Sequence, residues 1–197
     1  ELDRVLGWEA DFAGTSFATP EKIGNFRYGS DLFNVTGDRT QKHGLATCPF
    51  DDDGVTTENW PIVKNGILVD YATTRDTAPL IGATKSHGCA FSSSWKSFPI
   101  LRMPNVGIEG GNDDSVTLKS IIEDTENGIL VDGMAAFSID HQRLNFQFSG
   151  DYCRRIKNGK VDEPLWNVVY NGSNPEFWSS LDAVSTKKEW QPYGVYG

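Results

Sequence analysis

The stretch Pro61-Ile62-Val63-Lys64-Asn65-Gly66-Ile67-Leu68-Val69 places an Asn-Gly pair between two runs rich in β-branched residues. Asn and Gly both tolerate the positive φ that a type I′ turn needs at its two central positions, so this pattern predicts a tight hairpin. Three further pairs, Asn127-Gly128, Asn158-Gly159 and Asn171-Gly172, repeat the signal. The chain is therefore expected to be rich in antiparallel strands. The third pair would join Tyr152–Ile156 to a strand running on through Val168, Val169 and Tyr170, as a hairpin of the same sheet as the first. Between them Leu144, Phe146 and Phe148 alternate with Asn145 and Gln147, the period of a strand with one buried face.

Two phrases, Lys64-Asn65-Gly66-Ile67-Leu68-Val69-Asp70 and Glu126-Asn127-Gly128-Ile129-Leu130-Val131-Asp132, are nearly identical. Their flanks differ, so they read as one turn solution used twice and not as a repeat array. Helices are few and short. Asp113 or Asp114 is expected to cap a helix carrying Leu118, Ile121 and Ile122 on one face, ended by Glu126-Asn127-Gly128. A second should start with Asn174 as N-cap and Pro175 at its first position, lined by Phe177, Leu181 and Val184. A third is expected from Thr19-Pro20, and the Gly- and Pro-rich residues 82–111 should form a long loop. The fold class is α+β, strand-rich and mostly antiparallel.

Composition sets the bounds. A chain of 197 residues fits a single domain or one lobe of a larger protein. With 18 basic and 27 acidic residues its net charge of −9 repels nucleic acid, and no basic cluster offsets this. Its apolar runs are far too short to span a bilayer and no leader opens it, so a soluble protein is expected. Three scattered cysteines, Cys48, Cys89 and Cys153, argue against a disulfide framework and for a reducing, cytoplasmic compartment. The sequons at Asn34 and Asn171 carry little weight, because such tripeptides arise by chance.

Residue chemistry alone shows no active site. His87-Gly88-Cys89 pairs two zinc-ligating residue types, but its spacing matches no recurrent metal motif, and a structural loop is the favoured reading. His43 and His141 cannot be placed beside a cysteine from sequence. Asp51-Asp52-Asp53-Gly54 lacks the alternate carboxylate spacing of a calcium loop and reads as a solvated turn. Glu123-Asp124 and Asp162-Glu163 read as surface charge, since neighbours on a strand face opposite ways. The six tryptophans Trp8, Trp60, Trp95, Trp166, Trp178 and Trp190 read as core or interface aromatics, with a carbohydrate-binding β domain as a remote alternative.

Longer stretches add a resemblance. Glu1-Leu2-Asp3-Arg4-Val5-Leu6-Gly7 and Ala13-Gly14-Thr15-Ser16-Phe17 resemble the segment that follows the HExxxH helix of TldD/PmbA-type peptidases. Cys48-Pro49-Phe50-Asp51-Asp52-Asp53-Gly54-Val55 is similar to that family's D-D-E-G-V turn, with Asp53 in place of glutamate. Asn65–Tyr71 with Thr74-Arg75-Asp76-Thr77-Ala78, the loop Pro99-Ile100-Leu101-Arg102-Met103-Pro104-Asn105, and the strand from Asn127 follow in the family's order. So do Phe146–Tyr152 and Ile156–Val161, and the tail Trp190-Gln191-Pro192-Tyr193-Gly194 resembles the approach to the family's ligand cysteine.

The resemblance implies the C-terminal portion of a TldD-type zinc peptidase that cleaves unfolded or flexible peptides and is described as a modulator of DNA gyrase. It implies a dimer, either homodimeric or formed with a PmbA-like subunit. The two histidines and the cysteine that hold zinc would lie before Glu1 and beyond Gly197, so no metal or catalytic residue is carried over, and the segment alone should bind no catalytic zinc and be inactive. Arg102 and Asn105, in the matched loop, are the candidates for substrate contact. The alternative within the family is a non-catalytic PmbA-like interaction subunit.

Overall fold

A computed structural model describes residues 16–192. Among the described residues four antiparallel sheets dominate, with two short α-helices, as the α+β reading expects. The largest sheet has the order β3-β2-β1-β6, formed by β1 (Val35–Asp38), β2 (Asn59–Lys64), β3 (Ile67–Leu68) and β6 (Asn105–Ile108). β2 and β3 are joined by Asn65-Gly66 with φ of 49° and 75°, the predicted type I′ geometry. Glycine is doubly required here, because a Cβ on Gly66 would sit 2.3 Å from the Gly29 carbonyl oxygen.

Pro61 sits inside the central strand β2, where its missing N–H should break the ladder. A bulge resolves this: Val35 pairs with Val63 but Thr36 pairs with Pro61, leaving Ile62 unopposed. The Ile62 carbonyl instead accepts from Val69 N and Asp70 N, which turns the chain after β3 across the strand. The main core lies against this sheet and includes Tyr28, Phe33, Trp60, Ile62, Val63, Leu68 and Tyr71.

Residues 82–111 are not one long loop. They hold a two-stranded ribbon of β4 (Ala90–Phe91) and β5 (Ile100–Leu101), followed by the edge strand β6. Backbone pairing to β1 gave β6 a partner that its glycines and low hydrophobic periodicity concealed. After it comes α1 (Leu118–Asp124). Its cap is Thr117, in a capping box with Ser120, and not Asp113 or Asp114. Those carboxylates are engaged elsewhere, Asp113 by Ser115 and Asp114 by Thr186 and Lys188.

A three-stranded sheet has the order β11-β10-β7, from β7 (Asn127–Asp132), β10 (Tyr152–Lys157) and β11 (Lys160–Leu165). Asn158-Gly159 makes its predicted tight turn, with φ of 50° and 73°. Asn127-Gly128 does not: the pair lies in β7 opposite Lys157 and Ile156, without positive φ. The ends of the two segments meet, because Asn158 N and Gly159 N donate to the carbonyls of Glu126 and Thr125 at the end of α1. A second three-stranded sheet, β12-β9-β8, comprises β8 (Ala136–Ile139), β9 (Asn145–Ser149) and β12 (Val169–Ser173). Asn171-Gly172 also lies in a strand, paired with Gln147 and Phe146. The two real hairpins therefore belong to different sheets, and the strand after Asn158-Gly159 ends at Leu165 before the chain crosses to β12.

The alternation in β9 holds, with Phe146 buried between exposed Asn145 and Gln147. Helix α2 (Asn174–Ser179) starts one residue earlier than expected: Ser173 is the N-cap, and the Asn174 side chain donates to the Arg143 carbonyl instead. It ends before Leu181 and Val184. Thr19-Pro20 begins a 3-10 turn, Pro20–Lys22, and not an α-helix. Phe146, Phe148, Tyr170 and Phe177 form a second aromatic group, joined to the main core through Phe177, Trp178 and Phe33. Among the described residues no helix is long and apolar enough to cross a membrane.

Candidate functional site

Downstream of β3 the chain runs buried through Tyr71, Ala72, Thr73 and Thr74, makes a 3-10 turn at Ala78–Ile81, and returns along residues 83–89. Thr77 Oγ1 accepts from Thr74 N at 2.9 Å and holds the bend. The returning arm is fixed at three points: Thr73 Oγ1 accepts from His87 N at 2.9 Å, the Thr73 carbonyl accepts from Cys89 N, and Asp51 accepts from Ala90 N at 3.1 Å. Asp51 is accordingly buried, taking Val55 N and Asp53 N as well, so this part of the acidic run is an internal staple and not a solvated turn. Asp53 nearby is held above the usual carboxylate range by partial burial and by the charges of Asp51 and Asp76.

His87 sits at the centre of this arrangement. Its ring stacks flat on Trp60, 4.3 Å between centroids and 2° apart. Nδ1 meets Glu58 at 2.8 Å and Nε2 meets Asp70 at 3.0 Å, while Lys85 Nζ bonds the second Glu58 oxygen at 2.8 Å. A neutral imidazole donates through only one nitrogen, whereas imidazolium satisfies both carboxylates. Burial, with the side chain 14% exposed, opposes the charge, but the hydrogen bonds to Asp70 and Glu58 outweigh it and hold the His87 pKa above its ordinary value. Glu58 moves the other way: its partial burial is overcome by the bonds from Lys85 and His87, and its pKa falls.

With both nitrogens committed, the ring ties β2, the turn after β3 and the returning arm together, and has no lone pair to offer a metal or a substrate proton. Cys89, two residues on, is fully buried and its thiol is pushed up to about 12 by that burial, so it stays protonated. The three cysteines are all free thiols. Among the described residues no group of three His, Cys, Asp or Glu side chains could hold a metal ion. The donors present do not fit a zinc site. Glu58, Trp60 and Asp70 were missed in sequence because they lie up to 29 positions from His87, and nothing in their spacing announces the contact.

Beside the clamp lies a cleft of about 430 Å³ bounded by the Thr74–Ala83 bend and residues 84–86. Arg102 ends the β4–β5 ribbon. Its N–H bonds the Cys89 carbonyl at 2.9 Å, and its half-buried guanidinium has no hydrogen-bond or ion-pair partner among the described residues. Asn105 is elsewhere, at the start of β6. Its Nδ2 donates to the Asp38 carbonyl and Thr47 Oγ1, and its Oδ1 accepts from Ala46 N, which moors residues 39–48 to the main sheet. It lines a second groove with Asp38, Glu109 and Trp190. The matched segment up to Thr15 and the tail from Tyr193 lie outside the described residues.

Comparison with known proteins gives a consistent family. The model for the PmbA/TldA metallopeptidase C-terminal domain matches residues 6–197. Metalloprotease MJ0996 of Methanocaldococcus jannaschii is 30% identical over 165 residues, which are 84% of this chain and 35% of that protein. The metalloprotease TldD homolog of Buchnera aphidicola (subsp. Acyrthosiphon pisum) is 31% identical over 180 residues, 90% of this chain and 36% of that protein. The crystal structure of TldE from Thermococcus kodakarensis superposes with a TM-score of 0.70 at 24% identity, covering 84% of this chain and 36% of that one, a likeness of fold. The chain thus spans about a third of the length of the relatives it matches.

Proposed function

Because the chain belongs to the PmbA/TldD metallopeptidase family, as its C-terminal domain, we propose that it is one lobe of a zinc-dependent peptidase that acts on unfolded or flexible peptides. The observation that carries this reading is the family match running from residue 6 to residue 197, alongside relatives named as metalloproteases. In this reading zinc is held by residues outside this segment, since the described residues do not make a ligand set. When bound, the ion would supply an activated water and polarise the scissile carbonyl.

The segment's own contribution is the wall of the cleft. The His87 clamp fixes the arm of residues 83–89, and Arg102, docked on Cys89, presents a guanidinium without a hydrogen-bond or ion-pair partner among the described residues, which suits a peptide carbonyl or carboxylate. Asn105, with its amide spent on residues 39–48, positions the neighbouring wall and reaches peptide only through its remaining acceptor capacity. The parent would pair with a second subunit, its own copy or a PmbA-like one.

The test is a cleavage assay on an unstructured fluorogenic peptide, with a polypeptide extended beyond both ends of this chain. Chelator-sensitive cleavage by the extended polypeptide, absent from residues 1–197 alone, is expected. An extended polypeptide that never cleaves would instead make this a non-catalytic interaction subunit.

A further inference from the structure

We infer that the cleft beside the His87 clamp is a subsite for a carboxylate carried on a small aliphatic group, namely the free C-terminal end of a bound peptide. This deepens the peptidase reading and rests on it. The floor is apolar and shallow-sided: Val55, Ala78, Pro79 and Ala83 contribute only short side chains, so about 430 Å³ is left open. The polar side chains of the lining, Arg75, Thr84, Lys85 and Ser86, all carry donors. Arg75 is exposed and its guanidinium has no hydrogen-bond or ion-pair partner among the described residues. Lys85 lines the same cleft, tethered to Glu58 at 2.8 Å. Ser86 is 3% exposed, and its Oγ accepts a long 3.4 Å bond from Gly88 N while its hydroxyl proton has no acceptor among the described residues.

The chain carries a net charge of −9, yet this lining holds two cations and no carboxylate. Asp53 and Asp76 lie close enough to feel Arg75 or each other electrostatically, but neither lines the cleft or forms an ion pair with Arg75. The charge count selects the ligand. Lys85 is tethered to Glu58 and Asp53 lies within electrostatic reach of Arg75, so at most about one unit of positive charge remains for the ligand, at the edge of a hydrocarbon floor. That suits a monoanion with an aliphatic body better than a phosphate dianion. Arg75 supplies the planar fork that a carboxylate accepts in bidentate fashion, and Ser86 the third donor.

The test is calorimetric titration of the 197-residue chain with a short peptide ending in Ala or Val, as the free acid and as the C-terminal amide. A third peptide, amidated but ending in Glu, asks whether a side-chain carboxylate serves equally. The free acid is expected to bind at least tenfold more tightly than the plain amide. Arg75→Gln should cost about tenfold, Ala83→Leu should abolish binding by filling the floor, and Lys119→Gln, a remote cation on α1, should change nothing. Equal binding of acid and amide, absence of binding by the acid, or wild-type affinity in both cleft variants would overturn the inference. Preference for the Glu-ended amide over the free acid would also overturn it, by moving the recognised group to a side chain. These readouts use no catalysis, so loss of the subsite and loss of the peptidase reading are separate results.

Discussion

Protonation of His87 completes two hydrogen bonds at once, and this makes the clamp sensitive to pH. Its folded pKa is raised above 6.5, so the stability it contributes is whole below that value and is lost as pH rises through the folded pKa. Glu58 has the opposite sign: its contribution is present above 4.5 and is lost as pH falls through its lowered pKa. Urea unfolding midpoints should therefore peak between these limits, and His87→Ala should flatten the alkaline limb. The same variant strips Asp70 of its imidazolium partner and leaves Glu58 with Lys85 alone, and an overall loss of about 1–3 kcal/mol is expected from denaturant titration. A Cβ at Gly37 would come within 2.7 Å of the Trp60 indole. Gly37→Ala should cost about 1–3 kcal/mol through overpacking and shift the Trp60–His87 stack, visible in near-UV circular dichroism. None of these contacts was legible in sequence, because a clamp assembled from β2, the turn after β3 and the returning arm has no local spacing to read.

The four Asn-Gly pairs show where local chemistry speaks for itself and where it is overridden. Asn65-Gly66 and Asn158-Gly159 have strands on both sides that fold back on each other, and both adopt positive φ. Asn127-Gly128 is followed by an equally good strand, but α1 precedes it, and no strand is there to close a hairpin. Asn171-Gly172 is drawn into β12 by pairing with β9. A turn motif thus specifies a turn only when its upstream partner is available, which is a non-local condition. The contrast is measurable. Gly66→Ala meets both positive φ and a carbonyl at 2.3 Å and should cost well over 1 kcal/mol, whereas Gly128→Ala meets only the Thr125 methyl at 2.8 Å and should cost less than half as much in the same denaturant titration. Helix boundaries failed for a related reason: Thr117 and Ser173 won the caps because Asp113, Asp114 and Asn174 bond elsewhere.

At the scale of the molecule, strand content and the order of family segments were readable from one sequence, while the grouping of strands into four sheets and the position of the clamp were not. The aromatic chain from Phe146 through Phe177 and Trp178 to Phe33 ties the β9 sheet to the main core. Phe146→Ala should cost about 3–5 kcal/mol and lower the unfolding midpoint of the main core along with the β9 sheet, checked by hydrogen exchange. In the proposed peptidase that framework would supply walls and donors for a peptide, but His87 is clamped and the buried Cys89 protonated, so the metal chemistry would have to come from beyond it. The most direct measurement is zinc per chain by atomic emission, made on purified residues 1–197 and on a polypeptide extended past both ends. The account predicts no stoichiometric zinc on the first and one ion per chain on the second. One zinc held by residues 1–197 alone, and lost on His87→Ala or Cys89→Ala, would contradict it.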